Sequence, residues 1–224
     1  MRDPRLLVPV GTCEQHGTHL PLGAGTIIVE RLADDLSAQF GILRAPTLEY
    51  GVNVFGDRES AGNASLRRKS LHRMLNDLLA SWEQNRVRQF ILLTAHGFDP
   101  HLDALSTVMT ERSEVRVVDI LSTGIGDLLE GQVAPLRGDE VDTSLLLYIA
   151  PHLVDKDIQD YTMSTDEVRR YRRGSFKLAR TAPGVVCRPS LATAQKGQAI
   201  YQRIYERVQT RVLARDVERE VAQE

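Results

Sequence analysis

The sequence predicts an α/β fold, a three-layer α/β/α sandwich around a mostly parallel central sheet. Two observations carry this. Continuously apolar runs of strand length alternate with longer segments whose apolar residues recur every three or four positions. Polar, histidine-bearing motifs begin where two of those runs end, the place where such sheets build their sites.

Residues 6–10 (LLVPV) read as a buried strand, and at Gly11 the chain turns abruptly polar. With Thr26 near the cap, Ile28, Leu32, Leu36 and Phe40 recur at a spacing of four and give an amphipathic helix. Residues 42–48 form a short strand, and the Gly-, Asn- and Asp-rich residues 50–63 a loop. Leu71, Leu75, Leu78 and Trp82, broadened by Met74 and Leu79, make a core-facing helical stripe. Residues 90–94 and 115–120 are further strands, and 141–149 a buried helix ended by Pro151. Ile200, Ile204, Val208 and Val212 dock a C-terminal helix before the chain frays into charge. No repeat, low-complexity tract or linker divides the sequence, so one domain over residues 1–224 is expected.

Composition narrows the function classes. Basic and acidic residues nearly balance, 28 against 30, which gives no electrostatic footprint for nucleic acid or a membrane surface. Basic clusters at 67–69 and 169–173 read as solvated helix faces. No apolar run approaches the roughly 18–20 residues of a membrane span, and no leader pattern is visible. Two cysteines, Cys13 and Cys187, are too few for a disulfide framework, so a reduced, cytoplasmic setting is expected.

The richest chemistry lies in residues 8–22, VPVGTCEQHGTHLPL. Side chains two apart in extended backbone point the same way, so Glu14 and His16 face one pocket. Carboxylate oxygen and neutral imidazole nitrogen suit zinc, manganese or iron. The competing reading ties His16 and His19 to backbone carbonyls as loop residues.

Residues 8–26, VPVGTCEQHGTHLPLGAGT, resemble the opening signature of the creatininase (creatinine amidohydrolase) family, P-[VI]-G-S-x-E-Q-H-G-P-H-L-P-L-x-T-D-T. Weaker matches follow in order. Tyr50-Gly51 with Gly62-Asn63-Ala64-Ser65-Leu66 resembles Y-G…P-G-T-x-S-L, and FILLTAHGFD (90–99) resembles the strand ending in N-G-H-G-G-N. RGDEVDTS (137–144) resembles H-A-G-E-x-E-T-S, and PSLATAQKG (189–197) resembles P-x-x-A-T-x-x-K-G.

The resemblance implies a creatininase-like sandwich and a metal-dependent amidohydrolase. Such an enzyme cleaves a C–N bond of a small cyclic amide or formamide with metal-bound hydroxide. Carried over by position, Glu14, His16 and His96 match metal ligands, Glu14 and His96 on one ion and His16 on the other. The bridging Asp of T-D-T falls on Gly25, which has no side chain to donate. One divalent ion (Zn, Mn or Fe) is therefore expected in place of two, with Asp99, Glu140 or Asp142 as substitute carboxylates. Glu140 and Asp142 keep the acidic positions of E-x-E and are assigned as ligand or base. Arg137 stands where the family often has a catalytic His; it cannot shuttle a proton but can clamp a substrate carboxylate. Phe98 replaces an acid found in creatininase itself. The other reading is a catalytically impaired relative that binds a small molecule or a partner chain.

The remaining histidines are expected in lesser roles. His19 orients the metal loop, His72 faces solvent, His101 lies on a helix surface or caps it, and His152 sits at a helix end. Asp57, Arg58 and Glu59 lie where the family contacts substrate. Cys13 points away from the Glu14 face as a packed, inert thiol. By resemblance the partners are a small-molecule substrate and further copies of the chain.

Overall fold

The computed structural model describes residues 3–53, 61–131, 138–161, 164–172 and 188–213. Four strands, β1 (Arg5–Val10), β2 (Leu43–Arg44), β3 (Gln89–Thr94) and β4 (Glu114–Asp119), pair in parallel in the order β2-β1-β3-β4. Alternate side chains of β1 and β3 go to opposite faces. Leu7, Ile91 and Leu93 pack with α1 (Ala24–Phe40), α4 (Glu140–Ile149) and α6 (Ala194–Val208). Leu6, Val8, Val10, Phe90 and Leu92 pack with α2 (Arg68–Gln84) and α3 (Asp99–Ser106). Burial on both faces is why these strands read as unbroken apolar runs, and the result is the three-layer sandwich that the alternation predicts. A further helix, α5, spans Thr165–Arg172.

Register positions the site. Val10 pairs with Thr94 and Thr94 with Asp119, so β1, β3 and β4 end at one level. The loops after β1 and β3 therefore leave the sheet side by side.

Local chemistry explains the departures from the predicted elements. The expected strand at 42–48 shrinks to Leu43–Arg44, because Pro46 has no N–H for a ladder; beyond it Leu48 makes only a single bridge to Val10. Helix α1 starts at Ala24 with no side-chain cap, and Thr26 lies in its first turn, where its hydroxyl donates to the Thr12 carbonyl at 3.3 Å. In α2 the buried positions are Leu71, Leu75 and Leu79, so Leu79 and not Leu78 completes the stripe. Ile120 opens a 3₁₀ turn after β4, capped by the Asp119 carboxylate. Among the described residues no helix is long and apolar enough to cross a membrane.

Candidate metal centre

The loop after β1 is sewn down along its length. The Gly11 amide donates to the Leu48 carbonyl at 2.7 Å, that of Glu14 to Leu22 at 3.0 Å, and that of Gln15 to the Asn63 side chain. Glu14 (2% exposed) and His16 (4%) are thereby buried on one side of the loop. The Cys13 thiol lies on the other, 3.6 Å from the Gly62 carbonyl.

Both histidines use one ring nitrogen on a backbone carbonyl and present the other to Glu14. His16 Nδ1 donates to the Glu14 carbonyl at 2.8 Å, which leaves the lone pair on Nε2. That Nε2 lies 3.9 Å from Glu14 Oε1 and 3.9 Å from Asp142 Oδ2. His96, two residues past β3, donates from Nε2 to the Val52 carbonyl at 3.1 Å, and its Nδ1 stands 3.0 Å from Glu14 Oε1. The Thr12 hydroxyl donates to the same oxygen at 3.1 Å. The two readings of His16 thus describe two sides of one ring.

The first turn of α4 brings the acidic positions. Asp139 is the N-cap, accepting from the amides of Val141 (2.7 Å) and Asp142 (3.0 Å). Asp142 reaches back to the Gly138 amide at 2.8 Å, a capping-box-like exchange. Gly138 has φ +62°, and a Cβ there would come within 2.7 Å of the His16 carbonyl oxygen, so only glycine lets α4 press on the loop after β1. Glu140, also fully buried, goes elsewhere. It is ion-paired with Lys196 and accepts from the amides of Glu130 and Gly131 (2.7 Å for the latter). Thr193 caps α6 just before that lysine, through the Lys196 amide at 3.1 Å. The 189–197 motif therefore supplies the counterion of Glu140.

Other predicted residues are placed as follows. Asp99 is exposed at the start of α3. Arg137, Asp57, Arg58, Glu59 and Cys187 lie outside the described residues. His19 is 1% exposed, and its Nε2 meets the Thr143 hydroxyl at 2.8 Å, tying the loop after β1 to α4. Burial, then the neighbouring His16, lowers its pKa to about 4. His72 is half-buried against the Thr107 carbonyl, and His152 is exposed.

His101 is the clear correction. Expected on a helix surface or as a cap, it is fully buried on the inner face of α3, 5.1 Å ring to ring from His96. Burial, then His96, pushes its pKa down to about 3, so it is neutral. Asp119 is a residue that sequence reading missed. It ends β4 beside the 95–97 turn, with burial raising its pKa and His96 acting against that shift.

Nitrogen and oxygen donors of this kind suit a divalent cation, and each histidine already holds its far nitrogen on a carbonyl, as metal-binding histidines do. Among the described residues no group of three or more His, Cys, Asp or Glu side chains stands ready to hold an ion. The pairs bracket the spacing required. Ligands on a tetrahedral ion with bonds near 2 Å lie about 3.3 Å apart, between the 3.0 Å of Glu14–His96 and the 3.9 Å of His16 to either carboxylate. Shifts of a few tenths of an ångström would reconcile them. At Gly25, a Cβ would meet only Ala95 Cβ at 3.8 Å and Thr12 Oγ1 at 3.9 Å, so a Cβ fits there, beside the hydroxyl that bonds Glu14.

Comparison with known proteins agrees with this architecture. Residues 1–212 match the family model Creatininase, described as creatinine amidohydrolase. The chain is 29% identical over 208 residues to a mycofactocin precursor peptide peptidase from Mycolicibacterium smegmatis, covering 88% of this chain and 80% of that protein. It is 25% identical over 223 residues to the creatinine amidohydrolase of Pseudomonas putida, covering 89% and 85%. In three dimensions it resembles a creatininase variant of the Zn-Zn type, with TM-score 0.76, 22% identity, and 93% and 90% of the two chains covered.

Proposed function

Because this chain belongs to the creatininase family, we propose that it is a metal-dependent amidohydrolase acting on an amide C–N bond at the Glu14–His16–His96 site. The observation that carries this reading is the meeting of Glu14 Oε1 with His96 Nδ1 at 3.0 Å, between loops 82 residues apart (96 − 14). Glu14, His16 and His96 would hold one divalent ion with Asp142 beside them, zinc by analogy with the Zn-Zn relative. Such an ion polarises a carbonyl and lowers the pKa of water. The protein residues fix tautomers, exclude bulk water and supply Asp142 as a base beside His16. Glu140, clamped by Lys196, braces α4, and Arg137 is assigned to a substrate carboxylate.

Small cyclic amides and formamides are the first substrate class. A peptide bond is the second, favoured by the likeness to the peptide peptidase. The test is metal analysis of protein purified without chelator, followed by turnover on cyclic amides, formamides and short peptides with zinc or manganese added. About one ion per chain and metal-dependent turnover of one class are expected. Occupancy below about one-third, with no turnover while a ligand still raises the melting temperature, would support a binding module instead.

The space at Gly25 adds a second handle. Gly25→Asp should raise zinc content from about one towards two per chain. Metal-free, the variant should melt lower, because its carboxylate joins Glu14 without a counterion. A ratio that stays at one by mass spectrometry of the native protein would refute Gly25 as the cause of the missing ion, and two ions already in the wild type would refute the one-ion assignment.

A further inference from the structure

His101 lies outside the ligand set, yet it is the most deeply buried imidazole of the site region, at 0% exposure. Its hydrogen bonds are directional. The Val52 amide must donate, so His101 Nδ1 accepts from it at 3.2 Å, and Nε2 carries the proton towards the Thr94 hydroxyl at 3.0 Å. The carbonyl of the same Val52 accepts from His96 Nε2 at 3.1 Å. One residue's backbone therefore joins the two rings, and His96 Nδ1 is left facing Glu14. The approach is tight. A Cβ on Gly51 would come within 2.7 Å of His101 Nδ1 and of Thr12 Cγ2, so the segment passes over both only as glycine. That contact gives the Tyr50-Gly51 motif a physical purpose.

We propose that His101 is a positioning residue that works through the Val52 backbone to hold the His96 imidazole with Nε2 protonated and Nδ1 turned to the metal centre. The role rests on the site proposed above, but part of its test does not. Loss of the His101 acceptor leaves the Val52 amide buried without a partner, and the strap must shift to satisfy it, taking the Val52 carbonyl away from His96.

The experiment compares His101→Leu, which has no acceptor, with His101→Asn, whose side-chain oxygen can take the place of Nδ1. In metal-free protein labelled with 15N-histidine, His96 Nε2–H should be protected from solvent exchange in the wild type and in His101→Asn, and exchange freely in His101→Leu. Zinc affinity by chelator competition should fall about ten- to a hundredfold in His101→Leu and stay within about threefold in His101→Asn. Should His101→Leu fail to fold, Gly51→Ala takes its place with the same expected loss of protection. Protection unchanged in His101→Leu, or lost equally in His101→Asn, overturns the proposal. If the wild type binds no zinc, the metal assignment fails while the exchange measurement still decides the role of His101.

Discussion

At the tips of β1 and β3 the ionisable groups gather together, whereas at the start of α4 two buried carboxylates part company. Glu14 gathers Thr12 and His96 on one oxygen, with His16 close by. Glu140 and Asp142, two residues apart, turn to Lys196 and to His16. The difference follows from backbone period. Alternate residues of an extended loop share a side, so Glu14 and His16 converge; alternate residues of a helix lie about 200° apart, so an E-x-D pair must split. Two acids in one motif therefore meet different partners.

The sharpest way to break this contrast is Glu14→Gln, which keeps shape and removes charge at the shared oxygen. Zinc affinity should fall more than about a hundredfold, beyond the range typical of outer hydrogen-bond partners. Calorimetric titration with zinc checks it, and an affinity within tenfold of wild type would remove Glu14 from the centre.

A crossed pair of variants probes α4. Lys196→Met strands the buried Glu140 charge and should cost about 3–5 kcal/mol in urea unfolding, with zinc affinity held within about threefold. Asp142→Asn should behave in reverse, losing about ten- to a hundredfold in zinc affinity with stability lowered by about 1 kcal/mol or less. Matching effects from the two variants would erase the proposed division of labour.

A smaller effect is acid sensitivity of the metal-free protein. His19 and His101 have folded pKa values lowered to about 4 and about 3, so the unfolded chain binds more protons below pH 6.5. Their contribution is complete above about pH 6.5 and is lost as pH falls towards the folded values. At pH 5.5 each should cost about 1.4 kcal/mol relative to pH 7.5. Urea midpoints at the two pH values measure the drop, and His101→Asn should remove about half of it.

Much of this was legible in the sequence, for definite reasons. Strands β1 and β3 are buried on both faces, so their apolar runs were unambiguous, and the residues just beyond them were placed at the sheet's carboxyl edge. His101 departs from its expected surface position, because the helix start at Asp99-Pro100 points to a helix-surface or capping role while the structure buries its ring. The signal against that was present, since Ala104 and Leu105 follow at three and four positions and share its buried face. The Asp139 cap was also readable, as an acid three positions before Asp142 at the head of an apolar run. The Glu140–Lys196 pair was not, because it joins groups 56 residues apart through tertiary packing alone. Pro46, which cannot donate to a ladder, is the sequence signal for a second strand that ends early.

The gap beside Gly25 has an evolutionary corollary. Glycine and aspartate codons can differ by one base, and a Cβ at this position meets its neighbours no closer than ordinary van der Waals contact. The number of cations such a sandwich carries can therefore drift by point mutation while its architecture stays put, letting descendants of one ancestor diverge in chemistry before they diverge in shape.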